Sequence, residues 1–381
     1  GMIYLDSGAT TLEKPPAVAR AMAQAVGEMS SPGRGNYPAS QKAARTAYDC
    51  REAAAELFHV PAPEQVIFTC NATHGLNIAI RTLVRPGCRV AVSGYEHNAV
   101  TRVLHSIPGV EIMVADAPLF RPEQTLEGFR TALRRGVDAV ICNHVSNVFG
   151  CVQPVEELAG LCRRTHTPFI VDASQSAGIL PVLLADWGAA FGAMPGPKGL
   201  YGPQGTGLLL CGAEASPLLY GGTGSASRRQ TMPIDLPDRL EAGTHNMPGI
   251  AGLLEGLRFV SHAGVERIAQ WERRLTRRAE EGLARLQGVE VFADKTGQGQ
   301  TGVLSFCVKG MDCEQVGEEL ARRQIAVRAG LHCAPLAHRT AGTLESGTIR
   351  ISPSVFNTEG QINFFLREMR EILRENTKKS V

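Results

Sequence analysis

Short apolar runs that alternate with helical segments constrain the fold of this chain most strongly. Runs of five mostly apolar residues, bounded by turn residues, recur at positions 65–69, 89–93, 110–114, 138–142, 168–172 and 207–211. Segments with helical spacing lie between them, at positions 39–58, 126–134 and 155–164. Strands without polar alternation are typical of a sheet that helices cover on both faces. The pattern therefore predicts an α/β domain with a mostly parallel sheet, which binds ligands at the carboxyl ends of its strands.

The pattern changes after about residue 245. A long charged helical stretch lies at positions 250–286. It is followed by strand-like runs at 302–308 and 347–352 and by helical segments at 313–323 and 359–375. Fewer strands, with helices on one side, predict a smaller α+β domain. We expect a large domain at residues 15–250 and a small domain formed by residues 1–14 and 251–381.

Length and charge exclude several classes of protein. A chain of 381 residues buries enough surface to fold without disulfides. Lys and Arg number 39 against 37 Asp and Glu, and this balance argues against nucleic acid or an anionic membrane as the main partner. No run approaches the ~20 apolar residues of a membrane span, and the first residues lack a signal-peptide pattern. We therefore expect no nucleic-acid or membrane partner and a cytoplasmic location.

The ten cysteines indicate a reducing compartment. They form no C-x-x-C pair and no cluster with histidines, so we expect no metal site. Most lie in apolar runs, as Cys142, Cys211 and Cys307 do, and are expected to be small buried side chains. Cys333 is the exception, because it lies among glycine, histidine and proline in the segment from Gly330 to Pro335.

Nucleotide-binding motifs are absent in their complete form. The segment at positions 192–199 resembles a phosphate loop, but Pro197 replaces the second glycine and Gly199 replaces the serine or threonine that binds magnesium. The Gly-x-Gly pairs at positions 33–35 and 222–224 lack the third glycine of a dinucleotide fingerprint. The sequence therefore predicts no nucleotide site.

Polar residues at the ends of predicted strands are candidates for a different site. Thr73 and His74 open a helix, where backbone N–H groups can face an anion, or Thr73 can simply cap that helix. Asp172 ends an apolar strand, where it either caps a following helix or holds a proton on the ring nitrogen of a cofactor such as pyridoxal phosphate. Lys198 lies in a glycine-rich loop, as a solvated side chain or as a desolvated amine able to form a Schiff base.

These motifs occur in an order that matches a known family. Asp172-x-x-Gln175, then Lys198-Gly-Leu-Tyr-Gly-Pro-x-Gly, then Arg239-Leu-Glu-Ala-Gly-Thr244 resemble the cysteine desulfurase and selenocysteine lyase branch of class-V aminotransferase-like enzymes. The resemblance runs from Tyr4 to Arg350. It implies a fold-type-I, pyridoxal phosphate-dependent transferase, whose large domain has a mostly parallel seven-stranded sheet flanked by helices, and it implies a homodimer.

The resemblance also implies roles for individual residues around the cofactor. Lys198 would bind pyridoxal phosphate covalently, Asp172 would pair with its ring nitrogen, and Gln175 would reach its ring oxygen. His97 would stack on the ring and move protons. The phosphate would be bound by three further residues: Thr73, His74 and, from the other subunit of the dimer, Thr244.

The substrate and nucleophile roles follow from the same resemblance. Asn147 and Arg350, with Arg328, would bind the carboxylate of L-cysteine, which suits the planar arginine fork. Cys333 would attack the substrate sulfur, giving L-alanine and a persulfide that passes to an acceptor protein. We expect flanking cationic side chains to lower the pKa of the thiol, namely Arg328, His332 and His338.

Two positions depart from the family pattern. Pro195 and Pro197 stand where relatives carry the Ser-x-His that helps bind the cofactor phosphate, and proline offers neither a side-chain donor nor a backbone N–H. Leu331 replaces a histidine beside the nucleophile. Two alternatives therefore stay open: a selenocysteine lyase or another lyase of cysteine-like amino acids, and a cofactor-poor homologue that acts as a binding or scaffold protein.

Overall fold

A computed structural model describes residues 1–379 as two sheet-centred layers joined by long helices. The helices are α1 Pro16–Glu28, α2 Pro38–Leu57, α3 Ala72–Leu83, α4 Asn98–His105, α5 Pro122–Arg135, α6 Val155–Arg164, α7 Leu184–Trp187, α8 Met247–Ala263, α9 Val265–Ala284, α10 Cys313–Arg322, α11 Pro335–Ala341 and α12 Glu359–Lys379. The strands are β1 Ile3–Tyr4, β2 Val66–Thr69, β3 Arg89–Ser93, β4 Glu111–Ala115, β5 Ala139–Asn143, β6 Phe169–Asp172, β7 Phe191–Pro195, β8 Gly207–Cys211, β9 Val289–Phe292, β10 Leu304–Val308, β11 Ile325–Ala326, β12 Arg328–Gly330 and β13 Thr348–Ile351.

The larger sheet has seven strands in the order β2-β8-β7-β6-β5-β3-β4. Strand β8 runs antiparallel to both of its neighbours, and every other pair is parallel, so the predicted mostly parallel sheet is confirmed. The carboxyl ends of β2, β3, β5, β6 and β7 therefore meet at one edge. This edge is where a sheet of this topology binds ligands.

Helices cover both faces of this sheet. Alternate residues of a strand point to opposite faces, and in β5 Val140 packs in one hydrophobic core while Ile141 packs in the other. Helices α2, α6 and α8 contribute to the first core, and α3 and α4 contribute to the second. Burial on both faces explains why these strands are continuously apolar.

The smaller sheet is antiparallel, in the order β12-β13-β10-β9, and packs against α9, α10 and α12. The start of the chain joins this layer, because β1 pairs with β11 and Leu5 is fully buried in its core. The division at residue 250 stays a prediction, and that residue lies within α8. None of the helices between residues 1 and 379 has the length and hydropathy that crossing a membrane requires.

Several elements were not predicted, and two differences concern segments that the sequence analysis had interpreted. Strand β7 was not expected, because Gly192 and Pro195 gave this segment the composition of a loop. The helical stretch predicted at positions 250–286 is two helices, α8 and α9, which Gly264 separates. This glycine has a φ of 91°, a left-handed conformation that ends the first helix and that other residues rarely adopt.

Candidate active site

A cavity of about 280 Å³ lies at the carboxyl edge of the larger sheet. Each neighbouring strand delivers polar residues to it, because the parallel strands end at the same edge. The cavity is lined by six of the residues singled out in the sequence: Thr73, His97, Asn147, Asp172, Gln175 and Lys198. The structure therefore brings the predicted cofactor residues of the sheet edge into one site.

Lys198 follows β7 and has an amine that is partly desolvated. Burial lowers the pKa of Lys198 to about 8, an effect that Asp172 opposes and Arg350 reinforces. A larger fraction of this amine is therefore neutral near physiological pH than for a lysine in water. The neutral form is the one that attacks a carbonyl, so the solvated-loop alternative for Lys198 does not describe it.

Asp172 is the last residue of β6 and is only 3% exposed. Its carboxylate accepts hydrogen bonds from the backbone N–H of Ser174 at 3.0 Å and from the Ser174 hydroxyl at 2.6 Å. The interpretation of Asp172 as a helix cap is wrong, because a turn follows and the next helix begins at Leu184. A buried carboxylate held in a turn at the cavity is suited to pairing with a protonated ring nitrogen.

His97 caps the amino end of α4. Its Nδ1 accepts a hydrogen bond from the backbone N–H of Ala99 at 2.9 Å, which places the ring proton of the neutral form on Nε2. Burial lowers the pKa of His97, although Asp172 acts in the opposite direction. The imidazole is therefore neutral at physiological pH, with its ring in the cavity.

A buried carboxyl group holds the turn that carries His97. Glu96 is fully buried and accepts a hydrogen bond from the backbone N–H of Asn143 at 3.0 Å, and the Ser93 hydroxyl also bonds to it. Burial raises the pKa of Glu96 to about 8. These contacts join the His97 turn to the end of β5. Sequence reasoning missed this residue, and its one signal was an acid directly before His97.

The start of α3 forms another wall of the cavity. The cap of this helix is Asn71, whose Oδ1 accepts a hydrogen bond from the backbone N–H of His74 at 2.8 Å, so the interpretation of Thr73 as the cap is wrong. Asn71 reaches the third residue ahead, which is the usual capping geometry. Thr73 is exposed and lines the cavity, whereas His74 lines an adjoining pocket of about 160 Å³.

The two unusual prolines also line the cavity. The carbonyl of Pro197 accepts hydrogen bonds from the backbone N–H of Thr11 at 2.6 Å and from the Thr11 hydroxyl at 2.7 Å, so the start of the chain holds the residue before Lys198. Gln204 and Thr206 line the same cavity. The prolines lack donors, and a phosphate here would depend on the first N–H groups of α3 and on these loop residues.

The donor set fits pyridoxal phosphate. A partly desolvated amine, a buried carboxylate and a neutral imidazole surround one cavity, and a helix amino end opens onto it. These four features bind, in the same order, an aldehyde, a ring nitrogen, an aromatic face and a phosphate. Residues of this chain therefore supply a partner for each part of the cofactor, with fewer donors at the phosphate.

Thr244 does not line the Lys198 cavity. It is exposed and lines the adjoining pocket that His74 also lines. Its loop is held by Glu241, which accepts hydrogen bonds from Arg51 at 2.6 and 2.7 Å and contacts His245 at 2.8 Å. A buried bidentate ion pair fixes the loop, and the contribution of Thr244 to a second subunit stays a prediction.

Arg350 and Arg328 share one carboxylate, that of Asp6. Arg328 donates to it from Nε at 3.1 Å and from an Nη at 2.7 Å, and Arg350 donates from an Nη at 3.1 Å. Arg350 is 3% exposed, and its Nε has no partner. An unpaired donor on a buried guanidinium is costly unless a ligand meets it. Both arginines are therefore paired with Asp6, and Arg350 keeps one unpaired donor although it does not line the Lys198 cavity itself.

Sequence reasoning missed the start of the chain as part of the site. Gly8 lies against Arg350, since a Cβ at this position would be 3.3 Å from Arg350 Cζ and 3.0 Å from Ser352 Oγ. Its carbonyl accepts a hydrogen bond from Gln175 at 3.0 Å. The sequence did carry a signal, because the family resemblance includes the run from Asp6 to Thr11. The sequence analysis assigned no site role to that run.

The segment that carries Cys333 is held beside the cavity. The Asn147 side chain donates to the His332 carbonyl at 2.7 Å, and the backbone N–H of Asn98 donates to the Cys333 carbonyl at 2.8 Å. His332 and Cys333 have φ values of 55° and 56°, which cost about 1–2 kcal/mol each outside glycine. The thiol is exposed. A strained turn anchored next to His97 thus presents Cys333 beside the cavity that Lys198 lines.

The predicted activation of Cys333 by neighbouring histidines is wrong. Burial lowers the pKa of His332 to about 2 and the pKa of His338 to about 4, so both rings are neutral at physiological pH. Their hydroxyl partners, Thr348 at 3.0 Å and Thr343 at 2.8 Å, hold them in place. A neutral ring supplies no positive charge to stabilise a thiolate.

The pKa of Lys198 makes cofactor attachment measurable as a function of pH. Below its pKa the amine is protonated and does not attack, so we expect the attachment rate of added pyridoxal phosphate to reach half its maximum near pH 8 rather than near 10.5. Stopped-flow absorbance on cofactor-free protein measures this rate. Burial also lowers the pKa of Lys14 to about 8, so attachment that survives in Lys198→Ala would assign the reaction to Lys14 instead.

Comparison with known proteins places the chain in a family. The profile of the aminotransferase class-V family matches residues 3–365, a span that contains every site residue described above. The chain belongs to the aminotransferase class-V family. Within this family it is 32% identical over 97% of its length to a "probable cysteine desulfurase" of Mycolicibacterium paratuberculosis, of which it spans 55%. It is 31% identical to another of the same name from Methanothermobacter thermautotrophicus, over 97% of this chain and 94% of that protein.

Solved structures of class-V relatives have the same fold. A cysteine desulfurase of Thermococcus onnurineus superposes with a TM-score of 0.89 at 30% identity, over 98% of this chain and 95% of that chain. The cysteine desulfurase CsdA of Escherichia coli gives a TM-score of 0.85 at 25% identity, over the same shares of the two chains. The predicted fold-type-I architecture and the resemblance to the cysteine desulfurase branch are confirmed.

Proposed function

We propose that this chain is a pyridoxal phosphate-dependent cysteine desulfurase, which converts L-cysteine to L-alanine and transfers sulfur to Cys333 as a persulfide. One observation carries the proposal beyond the family: hydrogen bonds from Asn147 and Asn98 hold the Cys333 turn beside the cavity that Lys198 lines. A transaminating site has no use for such a thiol. The names of the relatives support the same reaction.

Each step of the proposed reaction uses residues described above. Arg350 binds the substrate carboxylate through its unpaired Nε, and Lys198 moves the proton at the substrate Cα. When bound, pyridoxal phosphate supplies the electron sink that makes this proton acidic. The Cys333 thiolate then attacks the substrate sulfur, so that an S–S bond forms as the Cβ–S bond breaks. Carbon keeps the electron pair of that bond and takes up a proton, which gives L-alanine.

The proposal extends to partners and location. It includes a homodimer in which Thr244 serves the site of the other subunit, and an acceptor that removes sulfur from the exposed Cys333. All ten cysteines are free. A persulfide-forming thiol requires a reducing compartment, so the cytoplasmic location belongs to the same proposal.

The test is product analysis of the protein reconstituted with pyridoxal phosphate. We expect a visible absorption band that changes on addition of L-cysteine, one L-alanine per persulfide formed, and labelling of Cys333 by a persulfide-trapping reagent. Parallel reactions with L-selenocysteine separate a lyase that prefers selenium. Protein that stays colourless with added cofactor would contradict the proposal and favour the scaffold alternative.

A further inference from the structure

A second, smaller cavity lies behind Lys198. It has a volume of about 40 Å³, and its lining includes Ser7, Gln175, Lys198, Tyr201, Glu272 and Ser354. Lys198 and Gln175 line this rear cavity and the cofactor cavity alike. The amine-bearing residue therefore stands on the wall between two chambers.

Glu272 lies where the rear cavity adjoins an outer cleft. Together with Ile179 and Gly302 it lines both the rear cavity and an open cleft of about 530 Å³ beside α9. The glutamate is 9% exposed. The order from inside to outside is thus the cofactor cavity, Lys198, the rear cavity, Glu272 and the cleft.

The groups between Lys198 and the cleft are able to carry a proton. A cavity of about 40 Å³ holds at least one water, which needs roughly 10–15 Å³ of space of this kind. The buried Ser7 hydroxyl has no protein partner and so calls for one. Burial raises the pKa of Glu272 to about 8, and a hydrogen bond with Tyr201 lowers it. Glu272 therefore exchanges protons readily near physiological pH.

We propose that Lys198 exchanges its proton with bulk solvent through the rear cavity and Glu272 while substrate fills the cofactor cavity. The ammonium of Lys198 gives a proton to the water, the water passes a proton to the Glu272 carboxylate, and the acid releases one to the cleft. The reverse sequence recharges the amine, so no atoms or electrons are gained or lost. This inference rests on the proposed function, in which Lys198 moves the proton at Cα.

The test is the isotope content of the product rather than the rate. L-Cysteine is turned over in D2O, and mass spectrometry measures the protium left at Cα of the alanine. With the relay intact we expect almost none. In Glu272→Gln the protium that Lys198 takes from Cα is not exchanged with solvent. It is then one of three hydrogens on the ammonium, so the fraction of alanine with protium at Cα should rise toward about one third. This ratio does not depend on the fraction of active protein, so a merely structural loss would not change it.

Two further variants complete the experiment. Glu281→Gln removes a glutamate that lines the cleft but not the rear cavity, and it should match the unmutated protein. Ser7→Val fills the rear cavity and should raise the retention of protium as Glu272→Gln does. It therefore tests the relay even if Glu272→Gln fails to fold. Equal retention in all variants would overturn the relay alone. Absence of alanine from the unmutated protein would overturn the proposed function, and the relay with it.

Discussion

Replacement of Cys333 by serine is expected to lower alanine formation from L-cysteine by about 10³-fold or more. A hydroxyl of ordinary pKa does not attack sulfur at neutral pH, and the other cysteines near the site are no substitute because the turn presents one thiol only. The visible band of the bound cofactor should persist, since Cys333 does not line the cavity that holds Lys198. Turnover assays and absorbance spectra on the same preparation measure both quantities.

Cys88→Ser is the matched control for this prediction. Cys88 is partly exposed and precedes β3, at the edge of the sheet opposite the cavity. We expect its turnover to equal that of the unmutated protein. Undiminished alanine formation in Cys333→Ser would remove Cys333 from the reaction and leave a transaminase or β-eliminating lyase as the better description.

The sheet and its edge could be predicted from sequence because burial on both faces leaves a plain signal. Continuous apolar runs ending in Asp172 predicted both a central strand and a polar group at its carboxyl end, and the structure has both. Strand β7 was not predicted, because its small residues and Pro195 are as typical of a loop as of a strand whose backbone lies close to the cofactor cavity. Local composition does not separate these two cases.

Contacts between distant parts of the chain set the limit of sequence reasoning at the site. Asp6 bonds Arg328 and Arg350 across more than 300 residues, so the pairing of both arginines with one carboxylate could not be predicted from the sequence. The neutral state of His332 likewise follows from burial, which the sequence does not report. A cationic residue in a motif does not guarantee a positive charge in the folded protein.

Substitution of Arg350 should reduce kcat/KM for L-cysteine through binding. One charge-assisted hydrogen bond to a carboxylate contributes about 1.5–3 kcal/mol, so loss of the Arg350 Nε bond in Arg350→Gln is expected to cost about 10 to 10²-fold, mainly in KM. Arg328 keeps Asp6 paired at 2.7 Å in this variant, so no buried carboxylate is left without a cation and the fold should persist. Arg328→Gln leaves Arg350 in place and should cost about tenfold or less.

Cysteamine separates loss of the carboxylate contact from general damage to the site. It is L-cysteine without the carboxylate, so it gains nothing from Arg350 and should inhibit the unmutated protein and Arg350→Gln with equal constants. A larger loss in Arg328→Gln than in Arg350→Gln would move the carboxylate to Arg328. Equal weakening of cysteine and cysteamine binding by Arg350→Gln would mean that Arg350 acts only through Asp6 and the Asn147 carbonyl, which it bonds at 3.1 Å, and thus shapes the site rather than binding substrate.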